Sequence, residues 1–187
     1  MNGKLAVFFP GVGYHHDKPL LYYTRKAATQ NGYEVINVSY DFSEEPKDIK
    51  GNTEKMKAAF ETALRQTEEQ LKTVEFGKYE RVVFIGKSVG TVVAAYYSKM
   101  HKVDVDQVIL TPVPQTFDFL RDTKGILFHG TNDPWCENGV AYDACKSLGF
   151  EHVMIDDANH SLETGDVLRD ISIIRSVTER INQYLIG

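Results

Sequence analysis

Apolar residues fall into two alternating kinds of segment along the 187-residue chain. Short runs rich in β-branched and aromatic residues occupy positions 4–9, 34–39, 81–85, 107–111, 125–129 and 152–155. All but the weaker 34–39 run are nearly continuous hydrophobics, the pattern of parallel strands covered on both faces. Between them apolar residues recur at helical spacing. Positions 18–31 carry Leu20, Leu21, Ala27 and Ala28, and positions 53–75 carry Met56, Ala59, Phe60, Ala63, Leu64 and Leu71 between charges. Positions 89–100 are small and apolar, and 137–148 run to Gly149, a helix stop. A last helix over about 166–185 is expected to place Val167, Leu168, Ile171, Ile174, Val177, Ile181 and Leu185 on one broad face.

Strands alternating with helices predict repeated βαβ units. The expected fold is α/β, a three-layer α/β/α sandwich around a six-stranded, mostly parallel sheet. Pro10-Gly11, Pro46, Pro112 and Pro114 fall where strands end or loops begin, and Asn52-Thr53-Glu54 and Gly165-Asp166 read as helix entries. No composition shift, repeat or low-complexity stretch marks a second domain, so one domain is expected.

Composition removes several function classes. Acidic residues outnumber basic ones by 26 to 21, for a net charge of −5, and no basic run offers a footprint for nucleic acid. No stretch approaches the roughly 18 apolar residues of a membrane span. The opening Met1-Asn2-Gly3-Lys4 and the short run after it do not make a signal peptide, so a cytoplasmic location is expected. Cys136 and Cys145, nine residues apart, match no zinc spacing and read as reduced bystanders.

In an open α/β sheet the ligand sits beyond the carboxyl ends of the strands. Polar groups are concentrated there: Pro10-Gly11-Val12-Gly13-Tyr14 follows the first strand, Gly86-Lys87-Ser88-Val89-Gly90 the third, Gly130-Thr131-Asn132-Asp133 the fifth and Asp156-Asp157-Ala158-Asn159-His160 the sixth. Gly86–Gly90 is a G-x-S-x-G sequence between a predicted strand and a predicted helix, the context of a nucleophile elbow. Ser88 would stand on a strained turn, with the N–H groups at the helix start facing developing negative charge. A P-loop would need glycine at Arg81, and a dinucleotide fingerprint beginning at Gly11 would need glycine at His16.

A serine hydroxyl needs a base, and the base needs an orienting group. His160, after the last strand, is the expected base; His129 is expected to pack or support its loop. For the acid, Asp133 follows the fifth strand and Asp118 the fourth, and either could reach the imidazole. Asp133 gives the order Ser–Asp–His. Lys87 is either tolerated beside Ser88 or attracts an anionic substrate.

These three segments, in this order over about residues 4–185, resemble the α/β-hydrolase superfamily, including its small esterase and dienelactone-hydrolase-like branches. The resemblance implies Ser88 as nucleophile, Asp133 as acid and His160 as base. It also implies an oxyanion hole from the Val89 N–H and the Val12 N–H, with Gly13 the alternative to Val12. Only about 13 residues, 112–124, join the fourth and fifth strands where relatives often insert a lid. A lidless, open site is therefore expected, shaped by Tyr14, His15, His16, Val113, Phe117 and Trp135. The implied reaction is hydrolysis of an ester or thioester of a small-molecule acyl substrate, with no cofactor and no metal. A non-catalytic binding protein on the same fold and an amide-cleaving hydrolase are the alternatives.

Overall fold

Val82, Val83, Phe84 and Ile85 form a run without a polar side chain, and in the folded chain both of its faces are buried. The computed structural model describes residues 3–49, 51–120 and 123–187. Among these, six strands form one sheet: β1 (Lys4–Phe9), β2 (Tyr33–Asn37), β3 (Arg81–Ser88), β4 (Asp106–Pro112), β5 (Lys124–Gly130) and β6 (Glu151–Ile155). Their order is β2-β1-β3-β4-β5-β6 and every pairing is parallel, where a mostly parallel sheet was expected. The chain steps outward from β1 to β2, then returns past β1 to β3 and continues the other way. The connections after β1 and β3 therefore diverge, and they leave a crevice at the carboxyl ends of these two strands.

Alternate side chains serve the two layers. Ala6, Phe8, Val83, Ile85, Val108 and Leu110 pack against α1 (Pro19–Gln30) and α6 (Val167–Ile186). Leu5, Val7, Phe9 and Phe84 face α3 (Thr53–Leu71) and α4 (Val89–His101), while Ile109 and Leu127 meet α5 (Asn138–Leu148). A short α2 (Pro46–Ile49), absent from the hydrophobic pattern, begins at Pro46 and buries Ile49. The expected helix entries are present: Asn52 accepts from the Lys55 N–H, and Asp166 from the N–H groups of Leu168 and Arg169. Gly149 ends α5 with φ +69°, a left-handed conformation that glycine adopts without a Cβ clash.

The broad apolar face expected of α6 is narrower than its sequence suggested. Ile173, Val177, Ile181 and Leu185 are buried, whereas Val167, Leu168 and Ile171 are exposed. At about 100° per residue, Leu168 and Ile171 rotate away from the stripe through 173, 177 and 181. Residues 121 and 122 of the β4–β5 connection lie outside the described residues. No helix among the described residues is long and apolar enough to cross a membrane.

Candidate active site

β3 runs directly into α4, with Ser88 at the junction at φ +56° and ψ −124°. A non-glycine residue there is strained, and only close packing on both sides holds it. The flanking glycines supply that packing. A Cβ on Gly86 would lie 2.6 Å from Thr91 Cα, and one on Gly90 would lie 2.1 Å from the Phe9 carbonyl oxygen. The turn is secured below by the Thr91 hydroxyl, which donates to the Ser88 carbonyl at 2.6 Å and lies 2.6 Å from Thr116 Oγ1.

His160 reaches Ser88 from the loop after β6. Its Nε2 lies 2.8 Å from Ser88 Oγ, and its Nδ1 lies 2.8 and 2.9 Å from the two Asp133 carboxylate oxygens. The Asp133 side chain is completely buried, so this charge is screened little by water. Its Oδ1 also accepts the Trp135 N–H at 2.9 Å, which fixes the carboxylate on its own turn. The other acid considered, Asp118, ends the 3-10 helix Pro114–Asp118; it is exposed, and its carbonyl accepts from Lys99.

Ser88 and His160 border a cavity of about 270 Å³ whose walls include Val12, Tyr14, Met56 and Trp135, while Asp133 stands behind His160. Val12 and Val89 are buried in one cluster, which brings the loop after β1 against the start of α4. Gly11 is the close approach between these segments: a Cβ there would sit 3.1 Å from both Ser88 Cβ and the Lys87 carbonyl oxygen. The turn is closed by reciprocal backbone bonds between Gly11 and Tyr14, each 3.2 Å. Tyr14 stands on this turn with its hydroxyl accepting the Leu20 N–H, and burial pushes its pKa up to about 12.

His15 does not share the cavity, contrary to expectation. Its side chain is 64% exposed, because the Gly11–Tyr14 turn directs it outward and its Nδ1 accepts the Asp17 N–H. His16 turns the other way and meets the Val38 carbonyl at 2.6 Å. Val113 packs with Val12 and Val89 beneath the site, and Phe117 packs against the cluster around α5. His129 supports its loop, with Nε2 2.9 Å from Asn138 Oδ1. Burial pushes the thiols of Cys136 and Cys145 up to about 12 and about 11, which keeps both protonated and unreactive.

Two contributors escaped the sequence pattern. Asn159 Oδ1 accepts the N–H groups of Ser161 and Glu163 at 2.7 and 3.2 Å, shaping the loop that carries His160. An Asn two residues before a turn N–H is the signal that could have marked it. Met56 lines the cavity from the first turn of α3, and that contact joins segments far apart in sequence with no local signature. Lys87 is buried, with its ammonium donating to the His160 carbonyl at 2.8 Å. A larger cleft of about 860 Å³ opens at the amino ends of the strands, where His101 is bonded to Glu68 and Arg81 to Asp106. It lies at the opposite end of the sheet from Ser88.

No family model matches the chain, and no curated protein matches it. Solved structures do. The dienelactone hydrolase of Anabaena variabilis superposes with a TM-score of 0.70 at 17% identity, over 99% of this chain and 86% of that one. Est1E of Butyrivibrio proteoclasticus with bound ferulic acid gives 0.69 at 13% identity, over 98% and 88%. The esterase domain of a Rhodothermus marinus protein gives 0.60 at 15%, over 98% and 87%. With its wholly parallel sheet and helices on both faces, this chain has the α/β-hydrolase fold.

Proposed function

We propose that this protein is a serine hydrolase that cleaves a carboxylic ester or thioester through an acyl-enzyme on Ser88. The observation that carries the reading is the line Ser88 Oγ–His160 Nε2 and His160 Nδ1–Asp133, each step 2.8 to 2.9 Å, at the edge of an open cavity. Geometry of this kind lets His160 accept the Ser88 proton as Oγ attacks a carbonyl carbon, while Asp133 stabilises the imidazolium. The N–H groups of Val89 and Val12 are the proposed oxyanion donors, each worth roughly 3 kcal/mol of barrier. The proton then passes from His160 to the leaving alcohol or thiol. Water, deprotonated by the same imidazole, attacks the acyl-enzyme and restores Ser88.

Two of the structural neighbours are named as an esterase domain and a dienelactone hydrolase, which supports an ester over an amide. At about 270 Å³, the cavity lies just below the roughly 300–1,000 Å³ typical of drug-sized ligands, which favours a small acyl substrate. The reaction asks for no cofactor or metal, and a cytoplasmic site of action is part of the same reading.

The test uses p-nitrophenyl acetate and a fluorophosphonate probe. Wild-type protein is expected to turn over the ester and to be labelled on Ser88, and Ser88→Ala is expected to do neither. Full turnover by Ser88→Ala, or labelling at another residue, overturns the assignment.

A further inference from the structure

Lys87 is 1% exposed, an unusual state for a lysine. An ammonium removed from water is strongly unfavourable unless it is bonded. Lying between Gly86 and Ser88, its backbone belongs to the turn itself, yet its side chain reaches two other loops. Nζ donates to the His160 carbonyl at 2.8 Å and lies 4.7 Å from the centroid of the Tyr14 ring. That ring is held from its far end by the Leu20 N–H. One side chain thus ties the loops after β1, β3 and β6 together above the sheet.

The loop after β6 needs such a tie. It is irregular, with Asp157 and Leu162 both at positive φ, and it carries the imidazole that must span Asp133 and Ser88. A displacement of about 1 Å at a reacting group costs on the order of 100-fold in rate.

We propose that Lys87 is a positioning residue: its bond to the His160 carbonyl holds the imidazole in line between Asp133 and Ser88. This rests on the serine-hydrolase reading above. The competing role, attraction of an anionic substrate, is separated from it by experiment.

Lys87→Met removes the donor at similar bulk, and Lys87→Gln removes the charge but keeps an N–H donor. The readouts are the rate of Ser88 labelling by a fluorophosphonate, and kcat and KM on p-nitrophenyl acetate and the anionic p-nitrophenyl hemisuccinate. With folding checked by melting temperature, Lys87→Met is expected to lose roughly 10- to 100-fold in labelling and in kcat on both esters. KM is expected to change by less than about two-fold, since ground-state binding is untouched. Lys87→Gln is expected to stay within about five-fold of wild type, the difference between a neutral and a charged donor. Wild-type labelling by a folded Lys87→Met overturns the proposal. So does a loss confined to KM on the hemisuccinate, or a folded Lys87→Gln as impaired as Lys87→Met. If Lys87→Met does not fold, Lys87→Gln decides alone: a loss beyond about five-fold in labelling, or a loss confined to KM on the hemisuccinate, overturns the proposal. The downfield proton NMR line of His160 Nδ1–H bonded to Asp133 reads the positioning without any turnover. It is expected in wild type and Lys87→Gln and broadened away in Lys87→Met, and an unchanged line in Lys87→Met overturns the proposal. An unlabelled, inactive wild type would instead remove the hydrolase reading, leaving the NMR comparison to judge Lys87.

Discussion

The Trp135 indole lies over the His160 imidazole at an interplanar angle of 33°, with ring centroids 5.5 Å apart. An aromatic ring beside a cation is a favourable contact, and in the proposed mechanism His160 becomes a cation when it accepts the Ser88 proton. Trp135 is the only tryptophan in the chain, so its fluorescence reports on this one ring. Its emission is expected to change in His160→Gln, which removes the imidazole beside it. Trp135→Leu keeps the backbone N–H on Asp133 and is expected to lower kcat by roughly 2- to 30-fold. An unaltered kcat would reduce the indole to a cavity wall.

Asp133 offers both carboxylate oxygens to His160 Nδ1, so Nδ1 carries the hydrogen and Nε2 is left free to accept from Ser88. Asparagine has the same shape but presents an N–H, which favours the opposite tautomer. Asp133→Asn is therefore expected to lose about 10⁴-fold in kcat while remaining folded. Esterase kinetics beside a thermal melt checks it; a loss of less than tenfold would assign the orienting role elsewhere.

How far the chain could be read from its pattern depended on distance along it. The apolar runs of β1, β3, β4 and β5 show in sequence because both faces of each strand are covered. Gly86, Ser88 and Gly90 stand out because their constraint is local: a strained turn with backbone within 3 Å of each missing Cβ. His160 and Asp133 follow from their places after successive strands. The remainder is set by contacts that no local pattern encodes. His15 and Tyr14 are neighbours, yet the Gly11–Tyr14 turn sends one to solvent and the other into the site. Lys87 reads in sequence as tolerated beside Ser88 or as attracting an anionic substrate, and its bond to the His160 carbonyl exists only once the loop after β6 folds across it.

The exposed start of α6 makes a direct comparison. Leu168 is 77% exposed and Ile181 is fully buried, although both count as apolar helix positions. Ile181→Ala is expected to cost about 2–5 kcal/mol through lost burial and a cavity. Leu168→Ala is expected to stay within about 0.5 kcal/mol of wild type. Urea denaturation of the two variants measures the difference, and equal costs would mean that Leu168 is covered in solution.

Gly90 and Gly11 separate stability from activity. A Cβ at Gly90 would overlap backbone at the end of β1 and just beyond it, with the Phe9 carbonyl oxygen at 2.1 Å and that of Pro10 at 2.5 Å. Neither can move without breaking the sheet, so Gly90→Ala is expected to cost about 3 kcal/mol or more. At Gly11 the nearest atoms are 3.1 Å away, a gap that a shift of a few tenths of an ångström opens. Gly11→Ala is expected to fold and to displace Ser88, so its loss should appear in kcat. Reversal of that order, with Gly11→Ala the less stable, would contradict the geometry.

Two histidines outside the site couple the stability of the fold to pH. Burial lowers the pKa of His152 below its usual 6.5, and the nearby His129 lowers it further; its Nε2 is buried without a partner among the described residues. Burial likewise lowers His16, whose Nδ1 is buried and unpartnered while Nε2 meets the Val38 carbonyl. Each ring binds a proton less readily in the folded chain than in the unfolded one. Their contribution to stability is therefore fully present above pH 6.5 and is lost as the pH falls from there toward the lowered folded values. Melting temperature is expected to be level near neutrality and to drop below that point. His152→Gln and His16→Gln, which cannot take up the proton, should each flatten the drop even where they lower the plateau. An equally steep decline in both variants would assign the drop to carboxylates instead.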